Sequence, residues 1–184
     1  MQTDITKIQS YLKNKDICLI GNASSILKKP KNIDKHEIVC RINKGLPTGK
    51  ETYIGSRTNV LFLATRISSH KITRIYKPKF ILWLTPWQKL ASKTVISKGI
   101  IAPKKNWHEL FKLLKRKKPS SGLMSLYFLL KYINFKKLTI YGFDFFESGT
   151  WYWEGEQKWH NGEAEKILIK QLIEKRKNIR IIYE

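Results

Sequence analysis

The chain has 184 residues, 42% of them apolar and six of them tryptophan, enough to bury one core as a single domain and to exclude global disorder. A formal charge of +22 calls for anionic partners, whether nucleic acid, anionic lipid or anionic substrates. The two cysteines, Cys18 and Cys40, each sit inside an apolar run, which argues against a disulfide framework or a zinc site and fits buried thiols in a reducing cytoplasm.

Residues 1–16 carry Asp4, Lys7, Lys13, Lys15 and Asp16 with no apolar stretch of the kind a secretory leader needs, so a cytoplasmic protein is expected. No run approaches the roughly 20 apolar residues that span a bilayer. ITKIQSYLKN, from Ile5, reads as a helix, and ICLI, from Ile17, as a buried strand. That strand ends at Gly21, and Asn22, Ala23, Ser24 and Ser25 lead into a short helical piece. A glycine there lets backbone approach a ligand and a helix start offers N–H groups to a phosphate, although a plain glycine turn with a serine cap fits equally. The fingerprint G-x-G-x-x-G of dinucleotide sites is missing its other two glycines.

EIVCRI, from Glu37, is the second strand. Arg41 and Asn43 alternate with Ile42 beyond it, so both are expected on one side of the sheet. NVLFL, from Asn59, and FILWL, from Phe80, are further strands, and the stretch from Ala91 to Asn106 is the least regular, a candidate mobile loop. WHELFKLLKRK, from Trp107, is a basic amphipathic helix with Trp107, Leu110, Phe111 and Leu114 on its apolar side, suited either to an anionic membrane or to the core. Pro119 ends this region, and Ser120 or Ser121 can cap the helix SGLMSLYFLLKYI. The amides of the Ser120, Ser121 and Gly122 turn form a candidate anion site. The strand LTIY, from Leu138, closes on Gly142 and Asp144, and the carboxylate suits a ribose diol.

The last helix, EAEKILIKQLIEKRK, has helical spacing at Ile167, Leu168, Leu172 and Ile173, and the strand IRIIY, from Ile179, follows it. Asn161 is a good N-cap, and Glu163 and Glu165 in the first turn suit the dipole. His160 therefore stands just before a helix N-terminus, where the imidazolium is disfavoured and the neutral ring can accept a proton. Strands alternating with helices predict one α/β, Rossmann-like domain: an open, mainly parallel sheet with helices on both faces and ligands at the strand C-termini.

Taken in order, GNASSIL, then IDKHEIVCRINKG with IGSRTNVLFLAT, then PSSGLMSLYFLLKYINFKKLTIYGFDFF, then HNGEAE resemble the motifs of sialyltransferases. The first and third resemble the large and small sialyl motifs of glycosyltransferase family 29, and His160 with Glu165 fits its H-x-x-x-x-E. The G-N turn, the R-x-N strand end, the S-S-G turn and the G-x-D-F end are similar to the bacterial enzymes of family 42. The likeness covers roughly residues 17–65 and 119–183. It implies the variant GT-A-like fold of those enzymes and an inverting transfer from a CMP-activated sugar acid.

By this resemblance Gly21, Asn22 and Ser24 lie along CMP, and Asn43 contacts its phosphate or the sugar. Ser120, Ser121 and Gly122 hold the nucleotide and the sugar carboxylate, while Gly142 and Asp144 meet the ribose and cytosine side. Tyr152 steadies the leaving phosphate, with Lys118 as an aid, and His160 is the general base. The donor is CMP-sialic acid or CMP-Kdo, and the acceptor an anionic glycan or glycolipid such as lipooligosaccharide or capsule, with a peripheral contact to an anionic membrane. Oligomeric state is left open, and residues 66–118 are a candidate lid or acceptor region. No D-x-D pair is present, so no metal is expected. The chain departs from the family at Phe146, where a tyrosine is usual, at Ala64 and Thr65, where an asparagine is usual, and in a small motif that has no cysteine to pair with Cys18. A basic nucleic-acid-binding protein is the rival reading, against which stands the lack of any recognised binding motif.

Overall fold

The computed structural model describes residues 5–152 and 160–183. Seven parallel strands form one sheet: β1 (Asp16–Ile20), β2 (Ile38–Ile42), β3 (Val60–Leu63), β4 (Phe80–Trp83), β5 (Ile100–Ile101), β6 (Lys137–Tyr141) and β7 (Ile179–Ile182). Their order in space is β5-β4-β3-β2-β1-β6-β7. The chain steps outward from β1 to β5, then returns to lay β6 against the other side of β1. The register there pairs Ile17 with Leu138 and Ile20 with Tyr141. This reversal is the switch point of an open α/β sheet, the place at the strand C-termini where such sheets bind ligands.

Alternation along the strands builds two apolar layers. Ile17, Leu19, Cys40, Phe62, Leu138 and Ile140 face a layer made by α1 (Ile5–Leu12), α4 (Lys104–Leu113), α5 (Ser121–Tyr132) and α6 (Gly162–Ile173). On the other face, Cys18, Ile20 and Val39 meet Ile26, Ile33 and Ile54 from two 3-10 turns and the short α2 (Glu51–Ile54). Beside them, Leu61, Leu63, Ile81 and Trp83 meet a π-helical turn (Lys71–Tyr76) and α3 (Lys93–Lys98). Connections left of the switch point cross one face and those right of it the other, so both faces are covered, as a fully parallel sheet requires.

The stretch from Ala91 to Asn106 differs from the mobile loop that its irregular pattern predicts. It holds α3, the edge strand β5 and the start of α4. Short elements with one or two buried residues, here Val95 and Ile100, carry too little periodicity to be read. The apolar side of α4 faces inward: Trp107, Leu110 and Leu114 are buried, and Trp107 stacks on Phe111 with centroids 4.9 Å apart. Core packing, rather than a membrane, uses that face. Cys18 and Cys40 are free and buried, and they lie in opposite layers; burial pushes the Cys18 thiol up to about 12.

Candidate active site

The crevice at the switch point is a cavity of about 400 Å³, walled by the turns after β1, β2, β3 and β6 and by the starts of α5 and α6. It exists because two backbones meet. A Cβ on Gly21 would lie 2.2 Å from the Gly142 carbonyl oxygen and 2.7 Å from the Phe143 ring. Gly142 itself has φ +65, a conformation that glycine adopts without strain. Asn22 follows, and its side-chain amide donates to the Ile42 carbonyl (2.9 Å) and to the Tyr152 hydroxyl (3.4 Å). The first strand turn is thereby tied to the second and to the Tyr152 segment.

Asn43 has φ +50 just past the end of β2. Its Oδ1 accepts the Ala64 N–H and its Nδ2 donates to Ser121 Oγ, both at 2.8 Å, while its carbonyl accepts from the Tyr76 hydroxyl. The left-handed backbone breaks the alternation. Arg41 consequently does not share a side with Asn43: it is buried in the opposite layer, donating to the carbonyls of Ile54, Gly55 and Arg57. Burial pushes its guanidinium down to about 10. Arg41 anchors the chain between α2 and β3 and does not line the cavity.

Ser120 is the N-cap of α5, its Oγ accepting the Leu123 N–H at 3.1 Å. The amides of Ser121 and Gly122 in the first turn have no acceptor within the helix, and both residues line the cavity. The Ser120 N–H and Oγ donate to the Glu165 carboxylate at 2.7 and 2.5 Å. Glu165 is therefore no solvated partner of a helix dipole. It is 2% exposed, and burial raises its carboxyl to about 7 against the two bonds from Ser120. It clamps the start of α6 to the start of α5. The residue type and first-turn position were visible in the sequence, but the contact with Ser120, 45 residues away, was not.

His160 lies two residues before α6, whose N-cap Asn161 accepts the Ala164 N–H (3.0 Å). Its Nδ1 sits 2.9 Å from the Lys118 carbonyl and so carries the proton, which leaves Nε2 with a lone pair. No described residue bonds to Nε2. Burial pushes the imidazole below its usual value; the bond to the Lys118 carbonyl works the other way, and the Lys118 charge lowers it again. Phe146 stacks on the ring with centroids 5.5 Å apart and planes 7° from parallel. Phe145 and Phe146 both have positive φ, +59 and +73, and the Phe145 carbonyl leaves room only for hydrogen at Gly162. Phe146 thus forms a wall behind the histidine.

The remaining predicted residues divide. Gly21, Asn22, Asn43, Ser120, Ser121, Gly122, Gly142, Asp144, Tyr152 and His160 all line the cavity. Ser24 does not; its N–H is spent on the Gly149 carbonyl at 3.1 Å. The Asp144 carboxylate accepts from Ser25 Oγ (2.9 Å) and from the N–H and hydroxyl of Ser148, closing its own turn. Lys118 is not part of the lining, whereas Lys44, which the motifs did not single out, and Thr65, named there only as a departure, are. Among the described residues no group of His, Cys, Asp or Glu stands together to hold a metal, and no helix is long and apolar enough to cross a membrane.

No protein-family model matches the sequence, and no curated protein matches it either. Solved structures do match. A mammalian sialyltransferase in complex with Gal-beta-1-3GalNAc-ortho-nitrophenol aligns over 99% of this chain and 79% of its own, with TM-score 0.64 and 21% identity. The fold is that of sialyltransferases. The sialyltransferase CstII from Campylobacter jejuni, in complex with cytidine-5'-monophosphate, aligns over 92% of this chain and 80% of its own, with TM-score 0.60 and 14% identity. Cst-I, a monofunctional alpha-2,3-sialyltransferase from the same organism, covers 93% and 76%, with TM-score 0.57 and 18% identity. The sialyltransferase fold therefore extends through the whole sheet, including the middle of the chain where the sequence motifs are silent.

The buried Glu165 has a measurable signature. Its carboxyl holds a proton more tightly folded, at about 7, than unfolded, at 4.5, so it favours the folded state at low pH and that advantage fades as pH rises between those values. The loss amounts to about 3 kcal/mol, from about 1.4 kcal/mol per unit. Glu165→Gln is expected to flatten the pH dependence of stability between 4.5 and 7, read by urea unfolding at several pH values. An unchanged slope would mean that Glu165 is ionised throughout.

Proposed function

We propose that the protein is an inverting, metal-independent glycosyltransferase that uses a CMP-activated sugar acid, CMP-sialic acid in the first instance. The observation that carries this reading is His160 held by the Lys118 carbonyl in the wall of the cavity that also receives the α5 N-terminus. A base whose Nε2 is bonded by no described residue and an anion seat share one crevice in a sialyltransferase fold. CMP, which is bound in the CstII structure, fits along Gly21, Asn22, Gly142 and Asp144.

In this reaction Nε2 of His160 takes the proton of the acceptor hydroxyl as its oxygen bonds to the anomeric carbon. The bond from that carbon to the phosphate oxygen breaks, and its electron pair leaves with CMP. The opposite-face attack inverts the centre. The amides of Ser121 and Gly122, the Tyr152 hydroxyl and the Lys44 ammonium supply the charge stabilisation that a metal gives elsewhere. The sugar carboxylate competes for the same seat, with Asn43 and Ser121 beside it. The acceptor is an anionic cell-surface glycan or glycolipid, such as bacterial lipooligosaccharide or capsule, modified at the cytoplasmic face of the membrane. The basic stretch 66–118 is the acceptor side.

The test is CMP release from CMP-sialic acid and from CMP-Kdo, with and without chelator and with a lipooligosaccharide acceptor. Release that survives chelation is expected, and the faster donor names the sugar, since both carry a carboxylate on the reacting carbon. No release from either donor, together with no CMP binding, overturns the reading.

A further inference from the structure

The sequence contains no Asp or Glu between Glu51 and Glu109, while Lys and Arg recur throughout that stretch. The fold gathers much of this acid-free segment onto one face. The π-helical turn Lys71–Tyr76 and α3 both pack inward, through Ile72, Tyr76 and Val95, on the same side of β3 and β4. Their outward positions are not purely polar. Ile75 is 36% exposed, and Ile96 reaches 61%. In the loop after β4, Leu90 is 55% exposed, and Trp87, edge-on to Trp107, is 48% exposed. Lys71, Arg74, Lys89, Lys93 and Lys98, of the same turn, loop and helix, are all exposed too.

We infer that this face docks on an anionic phospholipid bilayer. Large aliphatic and indole side chains exposed on a segment that carries basic residues and no acid of its own match the chemistry of an interfacial surface, in which apolar groups enter the acyl boundary and lysines meet the headgroups. Nucleic acid offers nothing to the exposed Leu90 and Ile96. The surface does not use the apolar side of α4, which the core takes; Trp87 borders it at the rim, edge-on to Trp107. The inference deepens the transferase reading by placing the enzyme at its glycolipid acceptor: Leu90 and Trp87 follow β4 on the same strand-end rim that carries Thr65, a lining residue of the cavity. A docked molecule thus holds its crevice near the headgroup layer.

Vesicle co-sedimentation tests it and requires neither donor nor acceptor, so its failure leaves the transferase reading standing, and loss of CMP release leaves the vesicle result standing. The intact protein is expected to bind phosphatidylglycerol–phosphatidylcholine vesicles, and pure phosphatidylcholine vesicles far less. The triple variant Trp87→Ser, Leu90→Ser, Ile96→Ser should bind about tenfold more weakly, and each of Lys89→Glu, Lys93→Glu and Lys98→Glu about fivefold more weakly. The lysine variants are expected to keep the wild-type melting temperature, whereas the triple variant loses the edge-on contact of Trp87 with Trp107 and melts a few degrees lower, so its binding is read well below that transition. Equal binding by the triple variant, no binding to anionic vesicles, or tight binding of an oligonucleotide at physiological salt that the same variants weaken would each overturn the inference.

Discussion

His160→Ala is expected to lower kcat for sugar transfer by between about a hundredfold and ten-thousandfold, the range that a positioned general base contributes, with CMP affinity near that of the wild type. In the proposed reaction the ring meets the reacting hydroxyl and not the nucleotide, so binding and turnover should separate. Three features prepare it. The Lys118 carbonyl fixes the tautomer, burial keeps the imidazole unprotonated near neutrality, and Phe146 holds the ring plane. The sign of the pH dependence follows from the lowered pKa: activity is full at neutral pH and falls only as acid protonates Nε2, below the usual imidazole value near 6.5. Phe146→Ala opens the wall to water, which relieves the desolvation and moves that acid limb upward. Parallel pH–rate profiles of the two proteins, with isothermal titration of CMP, check the set. A His160→Ala variant with wild-type turnover would remove the histidine from the chemistry, and an unshifted limb in Phe146→Ala would remove the phenylalanine from its tuning.

The second large effect is expected at Gly21, where Gly21→Ala should cost on the order of 3 kcal/mol, the upper part of the overpacking range. Its Cβ would stand 2.2 Å from the Gly142 carbonyl oxygen and 2.9 Å from the Gly142 carbonyl carbon, and backbone atoms of two central strand ends cannot rotate away as a side chain can. The strands must separate at the switch point, so the cavity deforms along with the fold. A loss of roughly 10 °C in Tm follows for a domain of this size, together with loss of CMP binding. Gly49 is the control. Its φ of +76 strains any side chain, but nothing lies within 4 Å of its Cβ position, so Gly49→Ala is expected to cost only about 1 kcal/mol and to leave CMP binding intact. Differential scanning calorimetry of both variants decides the matter. Equal small losses would mean that the β1–β6 contact is looser than the structure has it.

Much of this was legible along the chain, because strands buried on both faces must be apolar throughout and helices between them must carry a stripe. Six of the seven strands, and helices α1, α4, α5 and α6, followed from that pattern alone, as did the turn glycines and the N-cap Asn161, while the cap of α5 was open between Ser120 and Ser121 until the structure chose Ser120. The pattern fails where elements are short. β5 has two residues, α2 four, and the π-helical turn six, so no period accumulates. It also fails at Arg41 and Asn43, where strict alternation predicts a shared side and one left-handed residue undoes it.

The sequence by itself therefore determined the class of fold, the basic character of the chain and the residue types that reach the crevice, since these depend on local composition and spacing. Tertiary structure alone decided how they are used. It placed His160 on the Lys118 carbonyl and against Phe146, turned Glu165 into a buried clamp on Ser120, and spent Asp144 on Ser25 and Ser148. It drew the apolar side of α4 into the core and left Leu90 and Ile96 outside. The physical reason is common to all of them. Desolvation and hydrogen-bond partnership are properties of the space around a group, and that space is filled by residues that are distant in the chain.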